Sequence, residues 1–334
     1  MIYWRPIPQT GPARPPEALT LAGGWTWFTH VEALSRGAAP RVLPTDALPD
    51  AVRDRLVAPR PSLARLTLDQ PRIMAILNVT PDSFSDGGAH AGIEAAQARA
   101  LIAAGADILD VGGESTRPGA AEVPVDEETA RVTPAIRAAR AEWDGPISID
   151  TRKAAVARAA IAAGADVIND VSAMSFDAAM PDTVAASGLP ICLMHARGDP
   201  ATMQNEPRYD DVLLDVYDHL AARIDVAESH GIPRDRIVVD PGIGFGKTLA
   251  HNLALIARLS LFHALGCPIL LGASRKRFIG TLGGADTARD RMPGSVAVAL
   301  AAAAQGVQIL RVHDLADTRQ AFTLWQASTT GETP

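Results

Sequence analysis

Eight short apolar runs, each ending in polar or charged residues, constrain this chain more than any other feature. They read IMAIL before Asn78, ADILD to Asp110, PISID to Asp150, ADVIND to Asp170, PICLM before His195, RIVVD to Asp240, PILLGA before Ser274 and VQILRVH to His313. Unbroken apolar runs of this length predict parallel strands buried on both faces. Ala-rich helical stretches separate them, such as AGIEAAQARALIAAG before the second run and KAAVARAAIAAG before the fourth. The strings AAGADILDV (103–111) and AAGADVINDV (162–171) nearly repeat one another. In each, a Gly ends a helix and the chain turns into a strand, which marks successive βα units. Eight such units predict an α/β fold, a closed (β/α)₈ TIM barrel with its chemistry at the carboxyl ends of the strands.

The 334 residues leave room for a barrel and an appendage, since such barrels take about 250 residues. Residues 1–70 are read as an N-terminal extension and 71–334 as the barrel. The extension is rich in Pro and Arg, lacks βα periodicity, and carries three of the five tryptophans, among them Trp25 and Trp27. Exposed Trp is hard to keep soluble, so the extension is expected to be ordered against the barrel or a partner. Residues 47–57 predict a short amphipathic helix. Cys192 and Cys267 fall in or beside apolar runs and read as small core residues in a reducing compartment. The net charge of −7 suggests no basic face for nucleic acid. The start, MIYWRPIPQT, has no apolar core of a signal peptide, and no stretch reaches the length of a membrane span. A cytoplasmic protein acting on small molecules is expected.

The polar strand ends sort by charge. Asp110, Asp150, Asn169 and Asp240 sit where an unpaired carboxylate is costly to bury. Such a set suits the edge of a heterocycle with alternating N–H and C=O groups, or serves as struts for arginines and loop N–H groups. Asp110, followed by Glu114 and Arg117, is the first candidate for a strut, and Asp170 for a helix cap. Ser274-Arg275-Lys276-Arg277 follows the seventh run, while Arg311 and His313 share one face of the last strand. Loops after strands seven and eight of many barrels bind phosphate, so these cations suit a diphosphate. The plainer alternative is a solvated basic surface paired with Asp314 and Asp317.

PGIGFGKT (241–248) looks like a P-loop but lacks the Gly that motif needs where Pro241 stands, and it also lacks dinucleotide spacing. What remains is a Gly-rich loop with Phe245 at its centre, placed to lie over a flat ligand. Two further loops, 78–88 and 112–119, have the Gly, Pro and Ser content of lids.

The strings ILNVTPDSFSDGG, DVGGESTRPGA, DVINDVSA, DPGIGFGK, SRKRFIG and RVHD closely resemble the signature segments of the dihydropteroate synthase family of pterin-binding enzymes, in its order and spacing from about Ile73 onward. The resemblance implies a transferase that condenses 6-hydroxymethyl-7,8-dihydropterin diphosphate with 4-aminobenzoate, using Mg²⁺, as a homodimer joined through its last helices. By position it implies that Asp150, Asn169, Asp240, Lys276 and Met194 hold the pterin, with His195 lining its floor. Asn78 is implied as the metal ligand. Thr116, Arg311 and His313 are implied for the diphosphate, and Phe84, Pro118, Phe245 and Ser274 for the aminobenzoate pocket. Asp110, Lys276 and Arg117 are implied at the reacting centre. Two rivals are a corrinoid-linked methyltransferase, which needs no diphosphate site, and an inactive binding relative, which would have lost Phe84, Thr116, Arg117 or Pro118. The PDSFSDGG loop has no insertion of the kind seen in sulfonamide-insensitive relatives, so competition by sulfonamides is expected.

Overall fold

The computed structural model describes residues 1–79, 90–115, 120–198, 203 and 206–333, and for residues 90–94 the backbone only. The eight apolar runs become Arg72–Asn78, Ile108–Gly112, Ile147–Asp150, Val167–Asp170, Ile191–Met194, Ile237–Asp240, Leu270–Leu271 and Ile309–Val312. All their pairings are parallel. The first strand lies between the second and the eighth, the eighth pairs with the seventh, and a parallel bridge from Val239 to Ile269 joins the sixth to the seventh. The sheet therefore closes on itself as a TIM barrel.

Each strand is followed by a helix of the outer ring, in order His90–Ala103, Val125–Glu142, Ala154–Ala163, Met180–Ser187, Val212–Ser229, Leu249–Ile256, Met292–Ala303 and Leu315–Thr330. Local chemistry sets their ends. The Asp211 side chain accepts from the backbone N–H groups of Leu213 and Leu214 to open one helix. Gly164 closes another at φ 114°, a conformation that favours glycine. Among the described residues no helix is long and apolar enough to cross a membrane.

Period-two alternation splits every strand into an outer and an inner set. Ile73, Ala75, Leu109, Ile147, Ile149, Ile168 and Leu193 belong to the core shared with the helices. Met74, Ile108, Val167, Cys192, Val238, Leu270 and Ile309 form a separate inner cluster, completed by Leu63 and Leu68 from the extension. That cluster fills the lower barrel, which makes it a packed core rather than a pore. Both cysteines are free and buried, Cys192 within it.

The extension carries its own small architecture. Tyr3–Pro6 pairs antiparallel with His30–Leu34, which pairs with Arg41–Pro44, and a helix follows at Asp50–Val57 after a 3₁₀ turn at Thr45–Ala47. Phe28, Leu21, Val31 and Leu56 cluster with Ala264 of the barrel. Trp25 donates its indole N–H to the Ala303 carbonyl at 2.8 Å. Tyr3 donates to Asp218 at 2.9 Å, and Arg36 pairs with Asp215 and Asp218 on the helix Val212–Ser229. Buried Arg60 donates to the His263 carbonyl at 2.9 Å, just before the chain bridges Leu63 to Leu66 under the barrel.

Candidate active site

Two residues beyond the lower inner cluster, on the same inward face, stand Ile76, Asp110, Asn169, Met194, Asp240, Gly272 and Arg311. This upper layer is where the inward face turns polar, and Asp150 joins it from the third strand. Asp110 is fully buried, and Asn169, Asp150 and Asp240 are nearly so. Buried charges must be paired, and Arg311 pairs them. Its Nε donates to Asp110 at 2.5 Å and its terminal nitrogen to Asp150 at 2.7 Å. Asp110 therefore acts as a strut for an arginine, but the arginine is Arg311 on the opposite end of the chain. The amide of Asn169 faces the same Asp110 carboxylate at 3.3 Å.

The electrostatics follow from this crowding. Burial pushes Asp150 up to about 7, with Arg311 working against the shift and Asp110 adding to it. Burial pulls Lys276 down to about 7, against the attraction of Asp240 and with the repulsion of Arg311. Both groups are poised near neutrality, as is common where a site must hold a charged ligand.

The cations of the seventh strand divide. Lys276 alone enters the mouth, where its ammonium donates to the Ile243 carbonyl and lies 4.3 Å from the centre of the Phe245 ring. Arg275 sits at φ 59° and turns away to pair with Asp314, donating from Nε at 3.0 Å. Arg277 is exposed. The cluster read from sequence as one cationic rim is thus one inward ammonium, one surface ion pair and one solvated arginine. Ser274 accepts from the His313 backbone N–H at 3.2 Å and contacts its Nδ1 at 3.1 Å, which ties the ends of the last two strands together.

Other expectations shift. Asp170 is not a helix cap: the next helix begins at Met180, and Asp170 instead accepts from Ser172 and from the Met174 N–H, stapling the turn between. His195 does not reach the floor of the mouth, because its ring is drawn behind the Gly-rich loop, bonded to Lys247 at 2.9 Å and packed edge-on against His219. Met194 remains at the mouth, beneath Gly242, where its Cγ lies 3.3 Å from the place a Cβ would occupy. Glu114 points away from Asp110 and joins a buried network in which Lys153 pairs with Glu114 and with Glu128 at 2.7 Å. Lys153 also donates to the Val123 carbonyl, so it ties together both sides of the segment 114–123. Lys153, Glu128 and Lys247 were not read from sequence, since their roles depend on which buried carbonyls and carboxylates surround them. Phe84, Thr116, Arg117 and Pro118 lie outside the described residues.

Asn78 ends the first strand half-buried, with its side-chain oxygen 3.8 Å from the place a Cβ on Gly112 would occupy. An amide oxygen is a suitable ligand for a hard divalent cation such as Mg²⁺, which commonly takes few protein ligands and fills its shell with phosphate oxygens and water. Among the described residues no group of three or more His, Cys, Asp and Glu side chains could hold a metal ion by itself. The Asn78 amide oxygen is thus a donor of the kind such a cation takes.

The pterin binding enzyme family matches residues 74–313. The dihydropteroate synthase of Escherichia coli K12 is 47% identical over 265 residues, covering 79% of this chain and 93% of its own. The Xanthomonas albilineans dihydropteroate synthase solved with 4-aminobenzoic acid superposes with a TM-score of 0.77 at 48% identity, covering 83% of this chain and 99% of its own. The structure from the same organism in complex with 7,8-dihydropteroate gives 0.73 at 46% identity, covering 80% and 97%. Agreement over most of both chains leads to one conclusion: the chain belongs to the dihydropteroate synthases of the pterin-binding enzyme family.

Proposed function

We infer that this chain joins 6-hydroxymethyl-7,8-dihydropterin diphosphate to 4-aminobenzoate, releasing 7,8-dihydropteroate and diphosphate, and that its upper inner layer divides the work. One observation carries the reading. Side chains that accept when ionised (Asp110, Asp150, Asp240) converge on the mouth with side chains that only donate (Arg311, Lys276), which come from the neighbouring seventh and eighth strands, and Asn169 does both. A pterin edge offers the complementary pattern of N–H and C=O groups.

In this reading Asp150, Asn169, Asp240 and Lys276 hold the pterin ring over Met194. Arg311, His313 and Thr116 meet the diphosphate. When the ring takes Asp150, Arg311 exchanges one carboxylate for the diphosphate while keeping Asp110. Asp110 then lies beside the developing charge on the pterin methylene, with Lys276 and Arg117 completing the reacting centre. The methylene C–O bond breaks first and diphosphate leaves with the electron pair. The amine of 4-aminobenzoate, framed by Phe84, Pro118, Phe245 and Ser274, then forms the C–N bond and sheds a proton. Asn78 would hold Mg²⁺, which would supply charge neutralisation for the leaving group. No covalent nucleophile is needed, and catalysis rests on positioning and electrostatics. The enzyme is read as a cytoplasmic homodimer joined through its last helices, on the last of which Leu324 stands exposed.

The test is diphosphate release by the intact chain from the pterin substrate. Sustained, multiple-turnover release should require both 4-aminobenzoate and Mg²⁺, and sulfonamides should compete with 4-aminobenzoate. Sustained release that ignores 4-aminobenzoate, or none at all, overturns the assignment.

A further inference from the structure

Lys247 is the lysine of the P-loop look-alike, and it is buried. Its side chain is 3% exposed as a residue, inside the barrel wall behind the mouth. The ammonium is surrounded by acceptors: the Gly242 carbonyl at 2.8 Å, the Phe245 carbonyl at 2.9 Å, His195 Nδ1 at 2.9 Å and the His195 carbonyl at 3.3 Å. An ammonium has three hydrogens and no acceptor, so the three nearest contacts use all of them. Where the lysine donates to Nδ1, His195 is neutral with its proton on the other ring nitrogen, and burial pulls Lys247 itself well below its ordinary value. Burial, reinforced by Lys247 and His219, pulls His195 down to about 2 and so keeps it neutral.

The glycines around Lys247 exist to bring these acceptors in. Gly242 and Gly246 have φ of 66° and 61°, and a Cβ on them would lie 1.8 Å from the His195 carbonyl oxygen and 2.4 Å from that of Arg197. The loop after the sixth strand is therefore pressed directly on the backbone that follows the fifth. The face of that loop turned to the mouth presents the Ile243 carbonyl to Lys276 and the Phe245 ring 4.3 Å from the same ammonium.

We propose that Lys247 is a positioning residue, an internal hydrogen-bond donor that locks loop 242–246 onto His195 and so sets Phe245 and Lys276 for the two substrates. This rests on the reading of Phe245 and Lys276 given above. Hydrogen bonding performs the task, so the shape of the side chain alone does not suffice.

The experiment compares Lys247→Met, which keeps the shape without donors, with Lys247→Gln, which keeps donors without charge. Steady-state kinetics and amide hydrogen exchange over 242–246 are read on both. Lys247→Met is expected to raise KM for 4-aminobenzoate and for the pterin diphosphate about tenfold, with a smaller fall in kcat. Exchange at 242–246 should quicken while the rest of the barrel stays protected, and Lys247→Gln should fall between Lys247→Met and the parent. Parent-like KM and exchange in Lys247→Met overturn the proposal, as does equal impairment of both variants with unchanged exchange. Should Lys247→Met not fold, parent-like KM and exchange in Lys247→Gln overturn it. Should the parent chain itself release no diphosphate on 4-aminobenzoate, the assigned reaction fails, and the exchange comparison still decides the lock.

Discussion

The two inner layers of this barrel lie on the same strands two residues apart, about 6.6 Å at the usual rise per residue, and they do opposite things. The lower one is apolar, from Met74 and Ile108 to Ile309, and Leu63 and Leu68 of the extension seal it. The upper one holds Asp110, Asp150, Asn169, Asp240 and Arg311. Depth does not separate them, since Asp110 and Ile108 are both 0% exposed. What differs is the source of their order. The lower layer is held by transfer from water and close packing, which stabilise the fold directly. In the upper layer buried charges hold one another, an arrangement that adds little net stability but leaves donors and acceptors fixed for a ligand.

Removing the upper-layer cation should have the largest effect. Arg311→Met leaves Asp110 and Asp150 buried without it, and kcat/KM should fall about a thousandfold, ~4 kcal/mol of barrier. Stability in urea should fall as well, by about 3–5 kcal/mol, eased where Asp150 takes up a proton. Activity within threefold of the parent would break the comparison.

In the lower layer the signature should invert. Ile108→Ala should cost about 2–5 kcal/mol of stability by chemical denaturation, while kcat/KM of the folded fraction stays within about threefold.

The upper layer should also respond to pH where the lower cannot. Asp150 is raised to about 7 and must be ionised to accept a pterin N–H, so kcat/KM should fall as pH drops through that value. Lys276 is lowered to about 7 and must be protonated to donate, so kcat/KM should also fall as pH rises through it. A narrow bell about neutrality is expected, its limbs belonging to the coupled set rather than to single residues. For folding, the raised Asp150 has its own sign. The fold favours the protonated carboxyl, so its contribution to stability is greatest below the unfolded value of ~4 and declines up to about 7. A flat profile from pH 6 to 8 would sink this account.

The smallest effect should come from the neighbour of Lys276. Arg275 pairs with Asp314 at the partly exposed rim, and Arg275→Gln should cost about 0–1 kcal/mol, with kinetics unchanged.

Much of this was legible in the chain. Unbroken apolar runs announce strands buried on both faces, and their polar ends announce the mouth, because a barrel offers no other place for Asp110, Asp150, Asn169 and Asp240 together. The direction of each cation was not legible. Ser274-Arg275-Lys276-Arg277 reads as one patch, yet Arg275 takes up positive φ beside Asp314 while Lys276 turns inward. His195 looked like part of the floor until its ring was found bonded to Lys247. Glu114 looked like a companion of Asp110 until Lys153 and Arg152 were found on it. In each case the deciding partner lies more than 30 residues away along the chain, beyond the reach of local pattern.

By itself, then, the sequence determined the period-two and helical alternation that can bury eight parallel strands, and the positions at which that alternation turns polar. Tertiary structure alone decided which carboxylates share Arg311, which lysine faces the mouth and which faces a cage of carbonyls, and how residues 58–68 come to close the barrel from below. The physical reason is that strand and helix patterns are set by neighbours a few bonds away. The pairing of buried charges is set by the cost of leaving any of them without a partner, and only the closed barrel determines which partners are within reach.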